Sequence, residues 1–259
     1  VEFMGHFEKE YEAVVRLGLV TDTQDTTGKV LKEAPPVAPT GAQLDEIRRR
    51  FTGEIEQTPP MYSAVKVGGK RLYEIAREGR TVDRAPRKVT IHSLEVIGVT
   101  MPRIRMRIRC SKGTYIRALC ADIGDLLGCG GALDALRRLQ VGPFRVEDAT
   151  PIDHVTLDRV ASLLRPMDAG LSNFPVALVR ARSVGRVFTG APILAADLES
   201  RETLATSGWV RVMGPGGQLL AIGEVAKETN GATNGHTPVI RLKKVLAALH
   251  EPEPATRAK

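Results

Sequence analysis

Within the stretch Cys110-Ser111-Lys112-Gly113-Thr114-Tyr115-Ile116-Arg117 stand an ammonium, a phenol and a guanidinium. A guanidinium presents a planar fork of donors that matches a carboxylate or a phosphate in two places at once. A phenol adds an aromatic face with a polar tip. Lys112, Tyr115 and Arg117 could therefore meet an anionic or planar ligand together, if a rigid scaffold presents them. Many strand-to-helix turns carry Gly and Thr for geometry alone, so the alternative is a turn without chemistry. A second candidate is the loop Thr21-Asp22-Thr23-Gln24-Asp25-Thr26-Thr27-Gly28. Its two carboxylates could serve a metal or acid–base chemistry, but no His or Cys lies nearby. Residues of these types hydrogen-bond their own backbone, which favours a turn-forming role.

The elements that must hold these residues are legible on both sides. Ile104, Met106, Ile108 and Cys110 alternate with Arg103, Arg105, Arg107 and Arg109, the period of a half-buried strand. After the junction Ile116, Leu119, Cys120, Ile123 and Leu127 recur at helical spacing until Gly128. Glu10 to Leu17 reads as another strand, with Tyr11, Ala13, Val15 and Leu17 on one face. Thr40 and Gln43 fit a capping box for a helix striped by Leu44, Ile47 and Phe51. Pro59 and Pro60 fix an extended entry to Met61-Tyr62-Ser63-Ala64-Val65-Lys66, and Gly68-Gly69 then turns into a short helix, Leu72 to Arg77. Lys88 to Val99 is a strand region, and Asp148 to Phe174 reads as helical. Beyond it, Val176 to Leu249 shows β-rich runs at Val184–Val187, Trp209–Met213, Leu219–Val225 and Val239–Leu242. Pro215-Gly216-Gly217 signals a hairpin between two of them, and together they predict a second, small all-β domain.

With 259 residues there is chain enough for one large domain or two. A formal net charge of +7 favours an anionic partner, most simply a nucleic acid. No apolar run is long enough to span a bilayer. Cys110, Cys120 and Cys129 are odd in number and lack paired metal-ligand spacing, which points to reduced structural thiols and a cytoplasmic setting. Gly128-Cys129-Gly130-Gly131 lacks the Gly-Lys-Ser/Thr ending of a phosphate loop.

Taken together, five segments in order resemble the bacterial TruB-type tRNA pseudouridine synthases, which isomerise uridine 55 in the tRNA T-loop. They are the Tyr11 strand with Leu17-Gly18 and the Thr21–Gly28 loop; Pro59-Pro60-Met61-Tyr62-Ser63-Ala64 with Lys66 and the segment up to Gly79; Cys110 to Arg117; Leu136-Arg137-Arg138-Leu139; and the C-terminal region with Gly190-Ala191-Pro192, Val210-Arg211-Val212 and Gly223-Glu224-Val225. The resemblance implies an α+β fold: a mixed, largely antiparallel sheet with flanking helices over residues 1–174, a PUA-like RNA-binding domain over 175–250, and a polar tail at 251–259. It also implies roles. Tyr11 would stack on the flipped base, Tyr115 would contact substrate, Leu136 would form an apolar wall, and Arg117 would pair with the catalytic aspartate. No metal or redox cofactor is expected, and the protein is expected to act as a monomer.

In the family that aspartate stands in a Gly-His-Thr-Gly-Thr-Leu-Asp-Pro-like motif, which these 259 residues do not contain. The chain opens Val1-Glu2-Phe3, and the expectation is that the motif lies before it. Asp22, Asp25 and Asp122 stand in no matching context, so the chain by itself is expected to be inactive. The resemblance makes Lys66, Lys112, Arg137, Arg138 and the arginine strand candidate phosphate contacts. The partner would be tRNA, along the T-loop and acceptor side. A competing reading is a non-catalytic tRNA-binding or RNA-folding protein without the nucleophile; a snoRNP-type relative fits the central segments less well.

Overall fold

In the computed structural model, which describes residues 2–199, 208–226 and 238–246, the chain divides into two compact units, Val1–Pro151 and Ile152–Lys259. The first is built from β1 (Lys9–Leu17), β2 (Leu19–Thr21), β3 (Val30–Glu33), α1 (Gly41–Phe51), β4 (Gly53–Gln57), β5 (Lys66–Val67), β6 (Lys70–Arg71), α2 (Leu72–Arg77), β7 (Arg87–Thr100), β8 (Arg103–Cys110), α3 (Ile116–Leu126), β9 (Gly131–Val141) and β10 (Phe144–Arg145). Six strands form one sheet in the order β10-β9-β1-β8-β7-β4, and all its pairings are antiparallel.

The alternation read in β8 decides which face of the sheet is covered. Ile104, Met106, Ile108 and Cys110 are buried, and the four arginines between them are exposed. In the β1–β8 register Tyr11 lies opposite Ile108, Ala13 opposite Met106 and Val15 opposite Ile104. These side chains form one core with Ile116, Leu119, Cys120 and Ile123 of α3 and Ile47 and Phe51 of α1. Each fully buried aliphatic side chain contributes about 1.5–3 kcal/mol relative to exposure, so this helix-covered face holds the unit together. Helix α1 starts with the expected capping box, in which the Thr40 hydroxyl accepts from the Gln43 N–H and the Gln43 side chain accepts from the Thr40 N–H. Helix α3 runs close over the start of β9. A Cβ on Gly124 would lie 2.0 Å from the Gly131 nitrogen, and one on Gly131 would lie 2.7 Å from the Cys120 carbonyl. Only glycine tolerates that approach.

The second unit begins earlier than its β-rich composition suggests. Residues 148–174, expected to be helical, hold short 3₁₀ turns and one four-residue helix, α4 (Val160–Leu163). Pro151 and Pro166 interrupt helical geometry, and Ile152, Leu157 and Leu164 are 81%, 95% and 74% exposed. No apolar stripe is buried to stabilise a longer helix. This stretch is tied to the second unit: Arg211 Nη1 pairs with Asp168 at 3.0 Å, and Arg211 Nε donates to the Phe174 carbonyl at 3.1 Å. The compact units divide at 151/152, so the expected domain boundary at 174/175 lies within the second of them.

Beyond come β11 (Val176–Leu178), α5 (Val184–Phe188), β12 (Ile193–Leu194), β13 (Gly208–Met213), β14 (Leu219–Val225) and β15 (Pro238–Val245), with sheet order β11-β13-β14-β15-β12. The β13–β14 hairpin turns at Gly214–Gly217 as its sequence signals. Val184–Val187, expected as a β-run, is the start of helix α5. Val184, Val187 and Phe188 stand at i, i+3 and i+4 and pack on the second core, and that packing outweighs the strand preference of valine. The tail at 251–259 lies outside the described residues.

Candidate active site

The turn between β8 and α3 is fixed by its own hydrogen bonds. The Ser111 hydroxyl accepts from the Thr90 N–H at 2.9 Å, the Ser111 N–H donates to the Thr90 carbonyl at 2.8 Å, and the Thr114 hydroxyl donates to the Ser111 carbonyl at 3.1 Å. Gly113, at φ +83°, supplies the left-handed residue. Tyr115 is the N-cap of α3, without a side-chain cap. In place of a cap, the buried amide of Gln57 holds its backbone: Tyr115 N–H donates to Gln57 Oε1 at 2.7 Å, and Gln57 Nε2 donates to the Tyr115 carbonyl at 3.0 Å.

Arg117, half-buried in the first turn of α3, reaches two other segments. Its Nη2 donates to the Tyr62 carbonyl at 2.8 Å and its Nη1 to the Thr23 carbonyl at 3.3 Å. Both acceptors are neutral, and among the described residues the guanidinium has no carboxylate partner. The segment carrying Tyr62 is itself anchored, since Met61 packs with Leu72 and Ile75 of α2 and Arg84 donates to the Pro59 carbonyl at 3.1 Å. The Thr23 loop is stitched to β9: Thr26 N–H donates to the Leu133 carbonyl at 2.8 Å, and Leu133 N–H donates to the Gln24 carbonyl at 2.9 Å.

The loop's aspartates behave as turn formers. Asp22 Oδ1 accepts from the Lys29 N–H, and Asp25 Oδ1 accepts from both the N–H and the hydroxyl of Thr27. Asp122 lies elsewhere on α3, beside a cavity of about 600 Å³ lined also by Arg50, Phe51, Ile55, Glu56, Asp125 and Leu126. Burial, and then the neighbouring Asp125 charge, push its carboxyl above the usual carboxylate range. No residue singled out as binding or catalytic lines that cavity.

Further along the same face of the sheet, β9 brings Arg138 opposite Tyr11 and Leu136 opposite Ala13. The Arg138 guanidinium lies 5.6 Å from the centre of the half-buried Tyr11 ring, and Leu136 is 46% exposed. Lys9 sits close to this group. Its ammonium donates to the Phe7 carbonyl at 2.6 Å, and its pKa is lowered by burial first and then by the positive charges of Arg138 and Lys112. Lys112 Nζ lies 2.6 Å from His6 Nδ1.

Of the residues flagged from sequence, the structure thus gathers Tyr11, Leu136 and Arg138 on one face and Tyr115 and Arg117 at the junction, the two groups joined through the loop whose Thr23 accepts from Arg117 and whose Gln24 and Thr26 bond Leu133 of β9. Arg137 points with Glu12 to the opposite face. Lys66 stands exposed on the β5–β6 hairpin. The arginine strand is also set apart: Arg109 pairs with Glu8, Arg107 with Glu10, Arg105 with Glu12 and Arg103 with Asp134. Sequence reasoning missed Gln57. The signal was present, because Gly53, Ile55 and Gln57 share one face of β4, which puts an amide at an inward position. The three cysteines are free and buried, and no group of three or more metal-ligating side chains occurs among the described residues. Nor is any helix among them long and apolar enough to cross a membrane.

This architecture is that of the pseudouridine synthases. A solved Cbf5-Nop10-Gar1 complex superposes with a TM-score of 0.66 at 21% identity, covering 93% of this chain and 68% of the matched one. An H/ACA RNP bound to a substrate RNA containing 2'-deoxyuridine gives the same TM-score at 18% identity, covering 95% and 68%. Within that fold, residues 1–116 match the model of the TruB family pseudouridylate synthase N-terminal domain, and residues 117–172 that of the tRNA pseudouridylate synthase B C-terminal domain. The tRNA pseudouridine synthase B of Aromatoleum aromaticum is 45% identical over 220 residues, covering 84% of this chain and 68% of that protein. The synthase of Azoarcus sp. is 44% identical over 84% and 70%, and that of Cupriavidus metallidurans 43% identical over 83% and 70%. The chain belongs to the TruB family of pseudouridine synthases.

Proposed function

We propose that this chain binds tRNA and holds the T-loop uridine, position 55, out of the stack against Tyr11, with Leu136 and Tyr115 walling the pocket and Arg117 presented to the aspartate that acts on the nucleotide. The observation that carries this reading is the state of Arg117. It is half-buried, braced by two carbonyls, and without a carboxylate partner among the described residues.

Isomerising uridine requires that the N-glycosidic bond break, the base rotate, and the sugar rejoin it through carbon. A base must first leave its stack, at a cost of a few kcal/mol, and an aromatic face recovers part of that. Tyr11 is suited to this role because Arg138 steadies one side of its ring while the strand fixes its backbone. A guanidinium with two N–H donors braced on carbonyls retains others for a bidentate grip on a carboxylate, keeping it oriented and ionised where water is excluded. Lysine offers no such planar fork. Arg138 and Lys112 at this edge, with Lys66 on its hairpin, are the cations proposed to meet phosphates. The second unit, with the β-sheet of β11 to β15, is proposed to extend the footprint toward the acceptor end as a PUA-like domain.

None of the aspartates in these 259 residues stands in the family's nucleophile motif, so binding without conversion is expected of this chain. The test pairs two measurements on one tRNA transcript. Filter binding is expected to show salt-sensitive affinity, and tritium release from 5-tritiated uridine is expected to show no conversion. Absence of salt-sensitive binding would overturn the RNA assignment. Measurable conversion would mean that a carboxylate within the chain serves as nucleophile.

A further inference from the structure

Gln57 is 3% exposed and stands at the end of β4, an edge strand of the sheet. A polar side chain at such a position costs free energy unless its donor and its acceptor are both matched. Both are. One side of the amide accepts from Tyr115 N–H at 2.7 Å and the other donates to the Tyr115 carbonyl at 3.0 Å, as a neighbouring strand would do. Only a group with an acceptor and a donor side by side satisfies both partners, so the site demands an amide. Immediately after Gln57 the chain enters Pro59-Pro60 and reaches Tyr62, whose carbonyl holds Arg117 at 2.8 Å. Segments 57–62 and 115–117 are therefore stapled at both ends, by Gln57 to Tyr115 and by Arg117 to Tyr62.

We infer that Gln57 is a positioning residue: by fixing the Tyr115 backbone against the proline segment it holds Tyr115 toward the base and Arg117 toward the place of the aspartate beside it. Resting on the function proposed above, this role places the demand for an amide in a residue that touches no substrate. The two bonds cannot be replaced by packing. Gln57→Met keeps the volume and loses both. Gln57→Glu keeps the acceptor but turns a carboxylate oxygen toward the Tyr115 carbonyl.

The test compares binding of two T-arm hairpin RNAs, one with uridine at position 55 and one abasic there. The wild-type chain should prefer the uridine RNA by roughly tenfold, the scale of one stacked base. In Gln57→Met the preference should fall to about twofold while affinity for the abasic RNA holds, as expected when two hydrogen bonds that orient the pocket are lost. Gln57→Glu should lose the preference likewise. On an Arg117→Lys background, Gln57→Met should cause no further loss, because both act on one pocket. If the wild type shows no preference, the uridine reading fails and this role falls with it. If the wild type prefers uridine and Gln57→Met does so equally, the role of Gln57 alone is overturned. Additive losses in the double variant, or failure of both Gln57 variants to fold, would make Gln57 a structural strut and overturn the assignment too.

Discussion

The two faces of the six-stranded sheet carry cations in opposite electrical situations. On the open face Arg109 meets Glu8, just before β1, at 3.0 Å, Arg107 and Arg105 meet Glu10 and Glu12 of β1 at 3.6 Å each, and Arg103 meets Asp134 of β9 at 2.8 Å. On the helix-covered face, at its edge, Arg138 lies over Tyr11, and Arg117 is braced by carbonyls; neither has a carboxylate partner among the described residues. Four arginines in alternation look like a phosphate track, yet a phosphate arriving there must displace a carboxylate already in place. At the Tyr11 edge no such exchange is needed, and the Lys9 pKa there is lowered by burial first and then by the positive charges of Arg138 and Lys112. The count of cations on a surface thus says less about anion binding than the count left unmatched.

Substitutions can break or sharpen this contrast. Tyr11→Ala should have the largest effect, weakening binding of a T-arm RNA by about 1–3 kcal/mol, the worth of one base–aromatic stack, as read in a titration at fixed salt. Arg117→Lys should lower folding stability by about 1–2 kcal/mol in denaturant unfolding, since an ammonium cannot span the Thr23 and Tyr62 carbonyls as the planar guanidinium does. Arg138→Ala should reduce the slope of log affinity against log salt by about 1, the signature of one lost phosphate contact. Arg107→Ala, by contrast, should leave that slope unchanged and cost less than about 1 kcal/mol of stability, as an exposed ion pair does. An Arg107→Ala slope change equal to that of Arg138→Ala would erase the contrast between the faces.

The smallest effect concerns Asp122, away from the proposed pocket. Its pKa is raised in the folded state, mainly by burial, so the native protein binds its proton more tightly than the unfolded chain does. The associated stability is present below the ordinary carboxylate range and is lost as pH rises through the folded-state pKa. Asp122→Asn should therefore raise the melting temperature at neutral pH, and the gain should vanish in acid.

What could be read from the sequence follows the range of the interactions involved. The β8 alternation, the α3 stripe, the Thr40–Gln43 box and the Leu72–Arg77 helix are decided by residues close in the chain, and they stand where the pattern puts them. Val184–Val187 is helical because packing on the second core outweighs the strand preference of valine, whereas residues 148–174 stay broken because Pro151 and Pro166 interrupt them and no apolar stripe is buried. The candidate site was legible as residue types but not as partnerships. Arg117 is held by carbonyls, which every residue possesses, so no side chain advertised Thr23 or Tyr62. The arginine ladder was visible, whereas the register that sets Glu8, Glu10 and Glu12 beside it is a property of strand pairing. Gln57 reaches a backbone 58 positions away in the chain, and only its inward place in the β4 alternation hinted at it.

Which face of the sheet meets the target base decides between a pocket at Tyr11 and a track along the β8 arginines. A T-arm hairpin carrying 4-thiouridine at position 55, irradiated in complex with the chain and mapped by mass spectrometry, reads that directly. Cross-links to the peptides bearing Tyr11, Tyr115 or Leu136 are the predicted result. Cross-links confined to the arginine side chains of β8, or to the second unit, would contradict it.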